Sequence, residues 1–196
     1  MNKLIEAIDF AAKAHRDQRR KDENHSPYIN HPIDVMNILS KAGISDIDTL
    51  CAAVLHDTIE DTKVTFEQLE TTFGPEVAQI VKECSDDKSL HKVQRKKDQI
   101  VHARHASTNA KLVKAADKLS NLSDLQRSPP SFWSQDEIEG YFIWAFHVYM
   151  ELESALPESL NIQLREIFEA RGIMDKTPHQ VGKELESYYE NIHNSE

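Results

Sequence analysis

Cys51-Ala52-Ala53-Val54-Leu55-His56-Asp57-Thr58-Ile59-Glu60-Asp61 is the stretch on which the reading of this chain turns. An apolar run with the character of a buried helix leads straight into six residues, four of which can ligate a metal or move a proton. Polar groups in that position are costly unless something binds them. If helical spacing continues, His56 and Glu60 stack at i and i+4, and Asp57 and Asp61 stack beside them. One helix end then offers two columns of nitrogen and carboxylate oxygen, which suits a divalent cation with an activated water. The alternative is a helix C-terminus running into a solvated acidic turn, and this stretch alone does not decide between the two.

Working outward, Ser26-Pro27-Tyr28-Ile29-Asn30-His31-Pro32 reads as a loop that ends in a helix start, because Pro32 suits a first helical turn. His31 is therefore held between rigid neighbours. Three-to-four spacing of apolar residues predicts helices over 3–17, 32–42, 46–57, 66–73, 91–103, 109–126 and 135–154, with others opening at Pro75 and Pro157. Thr65 with Gln68, and Ser134 with Glu137, have the spacing of capping boxes. No alternating strand pattern is present, so the expected fold class is all-α, a single domain of roughly eight to ten helices.

A second informative segment is Ala110–Leu122. Asp117 adjoins its apolar face between Lys114 and Lys118, and Asn121 follows one turn later. A helical salt bridge accounts for Asp117 as readily as a ligand role does. Arg16, Arg19, Arg20 and Lys21 form the densest basic cluster, either complementing a helix C-terminus or clamping a phosphate. The basic helix with Lys92, Arg95, Lys96 and Lys97 reads mainly as a solvated face. Tyr141 and Trp144 read as core, with base stacking as the alternative.

The totals exclude several classes. Only 5 glycines occur, and neither GxxxxGK nor GxGxxG is found, so P-loop and dinucleotide folds are not expected. A net charge of −10 makes polynucleotide a poor partner, since that affinity rests on neutralising phosphates. The two cysteines, Cys51 and Cys84, lie among apolar residues and read as free thiols of a reducing compartment. No secretory leader or membrane span is evident, so the expected location is the cytoplasm. The oligomeric state is left open.

His31, His56-Asp57 and Asp117 lie on three separate predicted helices, which a bundle can bring to one point. Two imidazoles and two carboxylates without thiolate suit a six-coordinate divalent ion with open positions, manganese first, then iron, magnesium or zinc. Glu60 or Asp61 would take or orient the water's proton.

Three segments, RRKDENHSPYINHP (19–32), AAVLHDTIEDT (52–62) and KLVKAADKLSNL (111–122), together resemble the HD metal-dependent phosphohydrolases. Within them the likeness is to the RelA/SpoT-type alarmone hydrolases, in their small stand-alone, Mesh1-like form. The resemblance covers residues 3–173 and implies an HD-type domain over 1–173 with a tail, 174–196, that is either a docking helix or a loose end. It implies hydrolysis of guanosine 3′,5′-bis(diphosphate) to GDP and pyrophosphate, with Mn²⁺ held by His31, His56, Asp57 and Asp117. Glu60 and Asp61 would be the catalytic carboxylates, and Arg20, Lys21, Lys92, Asn121 and Tyr141 would contact the guanine nucleotide. Ser123 departs from the arginine common in relatives. The alternatives kept are removal of the NADPH 2′-phosphate or cleavage of another nucleotide phosphate, and a non-catalytic nucleotide sensor.

Overall fold

The computed structural model describes residues 2–194, and their regular secondary structure is helical. In chain order the helices are α1 (Asn2–Ala14), α2 (Asn30–Lys41), α3 (Ile47–Leu55), α4 (Thr58–Asp61), α5 (Phe66–Phe73), α6 (Pro75–Cys84), α7 (Lys92–His105), α8 (Thr108–Arg127), α9 (Gln135–Leu152), α10 (Glu158–Ala170) and α11 (Pro178–Asn194). α4 is a single turn; the other ten are longer. Among the described residues no strand forms, only one isolated antiparallel bridge between Arg19 and Pro27.

Two helices organise the rest. α3 is apolar on all sides from Leu50 onward, and every residue from Thr49 to Leu55 is buried, as expected of a helix enclosed by its neighbours. Asp46 caps it, accepting a hydrogen bond from the Thr49 amide at 2.8 Å. α8 is the longest helix and buries both apolar residues and two lysines, Lys114 and Lys118. α2 packs across both, α1 and α6 flank α3, and α9 lies on α8. The capping boxes at Thr65 and Ser134 both form.

Two local expectations are corrected, and a third point left open is decided. α1 ends at Ala14, not 17, and the chain from His15 folds back on itself through Arg20 N–H to Ser26 O (2.8 Å) and Tyr28 N–H to Gln18 O (3.2 Å). The basic cluster thus lies on a loop, not at a helix end. α3 stops at Leu55, so the two i,i+4 columns expected of one unbroken helix through Asp61 do not form. His56 Nδ1 bonds the Ala53 carbonyl (2.8 Å) and the Thr58 hydroxyl bonds the Leu55 carbonyl (2.7 Å). Such local side-chain bonds compete with the helical ladder, and His56 and Asp57 become a turn between α3 and α4. Third, the stripe Val181, Leu185, Tyr188 and Tyr189 is buried, so the tail docks as α11 on α9 and α7. No helix among the described residues is long and apolar enough to cross a membrane.

Candidate metal centre

The three segments do converge. His31 lies in the first turn of α2, His56 and Asp57 in the α3–α4 turn, and Asp117 midway along α8. One donor atom from each of His31, His56 and Asp117 lies within 4.8 Å of the others. His31 Nε2 is 3.1 Å from Asp117 Oδ1, and His56 Nε2 is 3.1 Å from Asp57 Oδ2. The remaining imidazole–carboxylate pairs, His31 with Asp57 and His56 with Asp117, are both 3.7 Å apart. Asp57 therefore joins the cluster through both histidines.

The far side of each ring is tied down. Ser120 Oγ donates to Asp34 Oδ2 at 2.7 Å, which leaves its oxygen to accept from His31 Nδ1–H at 3.1 Å. His56 Nδ1–H donates to the Ala53 carbonyl. Both bonds turn Nε2 of the ring toward the cluster, the orientation that points histidine at a metal. Asp117 accepts from Asn121 Nδ2 on Oδ1 and from Lys118 Nζ on Oδ2, both at 2.7 Å. Tyr28 donates its hydroxyl to Asp57 Oδ2 at 2.7 Å.

Charge follows this geometry. Burial pulls the His56 imidazole down, but Asp57 and Asp117 outweigh it and hold the ring well above the usual histidine value. Burial opposes ionisation of Asp57, yet His56 and His31 keep its carboxyl far below the usual range. Asp117 likewise stays ionised against burial because of Lys118, His31 and His56. Burial and the Asp57 charge push the Tyr28 phenol far up, so it remains a donor. Two anionic carboxylates facing two imidazoles form a site that favours a cation.

Glu60 and Asp61 lie beside this cluster on α4. Glu60 Oε2 accepts from the Asp86 amide at 2.9 Å, and its Oε1 is 3.8 Å from Lys88 Nζ. Burial, helped by Asp86, Asp57 and Asp61, pushes the Glu60 carboxyl up to about 7. Asp61 contacts Lys88 Nζ and lies 3.3 Å from the Tyr28 hydroxyl. A carboxylate poised near neutrality at the rim of a cation site has the properties of a general base.

A cleft of about 270 Å³ opens over the cluster. Lys92, Arg95 and Lys96 line it from α7, facing Lys114 and Lys118 of α8. This corrects the expectation that the α7 cations form a solvated face. Asn121 and Tyr141 line this cleft and also an adjoining one of about 390 Å³ that contains Arg20 and Lys21. Arg20 is held there by Asp124 Oδ2 (2.7 Å) and Asn121 Oδ1 (3.1 Å). Lys21 is exposed, its ammonium 5.8 Å from the Phe132 ring centroid. Ser123 lines neither cleft; it faces a surface depression beside Glu166. The sequence reasoning missed Tyr28, Ser120, Asp34 and Lys96. The one available signal was that Tyr28 and Ser120 fall inside the segments that carry the ligands.

The HD-domain family model matches residues 7–146. The chain belongs to the HD-domain family. Among its HD-domain relatives is the guanosine-3′,5′-bis(diphosphate) 3′-pyrophosphohydrolase MESH1 of Mus musculus, 50% identical over 171 residues, 87% of this chain and 95% of that one. The MESH1 of Drosophila melanogaster is 47% identical, covering 88% of this chain and 96% of that protein. A solved structure of a metazoan ortholog of SpoT, described as hydrolysing ppGpp and playing a role in starvation responses, superposes with a TM-score of 0.86 at 47% identity. It covers 88% of this chain and 97% of that one. The RelA/SpoT-type resemblance and the all-α HD fold both hold.

Proposed function

We propose that the protein is a metal-dependent hydrolase of guanosine 3′,5′-bis(diphosphate), releasing pyrophosphate from the 3′ position and leaving GDP. The observation that carries this reading is one cleft that combines a His31–His56–Asp117 cluster, with Asp57 against both imidazoles, a carboxylate poised near 7 and a wall of cations. The MESH1 relatives, named for this reaction and matched over almost their full length, support it.

His31, His56, Asp57 and Asp117 would hold the cation. The mixed nitrogen and oxygen donors without thiolate fit Mn²⁺, which when bound acidifies a water and polarises a phosphoryl oxygen. Glu60, its carboxyl raised by burial, would accept the water's proton as the oxygen attacks phosphorus. Asp61, steadied by Lys88 and Tyr28, orients that water. Lys92 and its neighbours on α7 offset the charge that gathers on the departing diphosphate. Arg20, Lys21, Asn121 and Tyr141 border the adjoining cleft, where the rest of the nucleotide would extend. Residues 1–173 form the hydrolase domain in this reading, and two free thiols fit an enzyme of a reducing compartment such as the cytoplasm.

A substrate panel tests the proposal. Purified protein is chelated, reloaded with Mn²⁺, Mg²⁺, Fe²⁺ or Zn²⁺, and given guanosine 3′,5′-bis(diphosphate), NADPH or GTP. The expected result is metal-dependent pyrophosphate release from the first, fastest with Mn²⁺. Preferred release of the 2′-phosphate from NADPH, or no turnover with any metal, overturns it.

A further inference from the structure

The C-terminal helix reaches the cleft. α11 lies beyond residue 146, where the family match ends. Its Tyr188 is buried against α9 at Gly140, where an added Cβ would lie 2.1 Å from Tyr188 Cδ2 and 2.7 Å from Cγ. Carbon atoms rest about 3.5–4.0 Å apart. The ring thus fills the space that a side chain at 140 would need.

From that seat Tyr188 meets Lys96 of α7. The Lys96 ammonium lies 3.3 Å from the Trp144 ring centroid, 4.6 Å from Tyr141 and 5.7 Å from Tyr188. Trp144 Nε1 also donates to the Lys96 carbonyl at 2.9 Å, which fixes the backbone of α7 at this point. Three rings from two helices therefore surround one cation. Lys96 lines the cleft over the His31–His56–Asp117 cluster on one side. On the other it borders a cavity of about 110 Å³, which Tyr188 walls together with Lys92 and Tyr141.

The electrostatics point outward, toward a ligand. Burial, Lys118 and Lys92 push the Lys96 ammonium well below the usual lysine value, against Asp86. Aromatic faces offset only part of the cost of such a charge. A diphosphate in the cleft would supply the counter-charge, and the Tyr188 ring narrows the space behind the ammonium to that small cavity.

We propose that Lys96 is a diphosphate-contacting residue of the cleft and that α11, through Tyr188, positions it. This rests on the reading of the cleft as a diphosphate-hydrolase site.

The test uses the full-length, Mn²⁺-loaded protein and two readouts. One is kcat and KM for guanosine 3′,5′-bis(diphosphate). The other is the affinity for inorganic pyrophosphate, measured by calorimetry without turnover. Lys96→Met should weaken pyrophosphate binding about tenfold or more and raise KM more than it lowers kcat. Tyr188→Ala should do the same, and Tyr188→Phe, which keeps the ring, should recover most of the loss. Lys96→Met combined with Tyr188→Ala should bind no more weakly than Lys96→Met alone, since both act through one contact. Unchanged pyrophosphate affinity in folded Lys96→Met overturns the proposal, as does an additive double variant. Should Tyr188→Ala fail to fold, Gly140→Ala displaces the same ring and is held to the same expectation. The two readings fail separately. Lys96-dependent pyrophosphate binding without turnover of the nucleotide sinks only the hydrolase reading; turnover with Lys96-independent binding sinks only this one.

Discussion

Replacing Glu60 by Gln separates catalysis from stability, because the structure sets the two effects in opposite directions. The Glu60 side chain is 18% exposed and shares its surroundings with Asp57, Asp61 and Asp86. Its carboxyl is pushed from an ordinary 4.5 to about 7. At about 1.4 kcal/mol per decade, ionising it in the fold costs about 3 kcal/mol more than in water. A carboxyl raised in this way binds its proton more tightly folded than unfolded. Its effect on stability therefore turns unfavourable as pH rises from about 4.5 to about 7, and is constant above that. Glutamine never ionises, and its Oε1 can still accept the 2.9 Å bond from the Asp86 amide. In chelated protein at pH 8, Glu60→Gln should therefore be more stable than wild type by up to about 3 kcal/mol. For a chain of this size that is about 6–12 °C in Tm. The same substitution removes the general base, so Mn²⁺-loaded turnover should fall about 10²–10⁴-fold. The assays are thermal unfolding from pH 5 to 8 after chelation, and pyrophosphate release at saturating substrate. A Tm below wild type at pH 8 would refute the burial argument, and turnover within tenfold of wild type would refute the role as base.

Further outcomes follow from the same geometry. Mn²⁺ at a hundred times its Kd should stabilise the folded protein by about 2.7 kcal/mol, or roughly 5–11 °C in Tm at this size. The shift should vanish in His56→Ala, and an equal shift there removes His56 from the ligand set. Ser120→Ala deletes the acceptor that orients His31 and should weaken Mn²⁺ binding about 10–100-fold by calorimetry; unaltered affinity means that the ring is held otherwise. The ascending limb of kcat against pH should lie at or below about 7, because a bound cation can only lower the Glu60 value. A limb well above 7 would point to a different base.

The clash between local and distant information is clearest at residues 46–61. Apolar periodicity found the helix and its buried face correctly, because burial of Val54 and Leu55 requires only that they be apolar at helical spacing. It did not find the break after Leu55. That break depends on which carbonyls His56 and Thr58 take, a competition between hydrogen bonds of similar strength. The candidate ligands were legible regardless, since His and Asp at the end of a buried helix need partners wherever the helix stops. The α7 cations were misjudged for a related reason. Lys92, Arg95 and Lys96 occur in a polar run, and no local rule says that α9 and α11 will cover one side of it.

What the sequence by itself determined were the properties that act over one or two turns: helix content, the two capping boxes, the proline-bounded entry to His31, and the set of candidate metal-ligating side chains. Each depends on neighbours a few residues away, so composition and spacing suffice. Only the tertiary structure decided which nitrogen of each histidine faces the cluster, why the Glu60 carboxyl sits near 7, and how Tyr188 comes to lie beside Lys96 from ninety-two positions away. Those are consequences of desolvation and of through-space charge, and both are properties of how helices pack against one another.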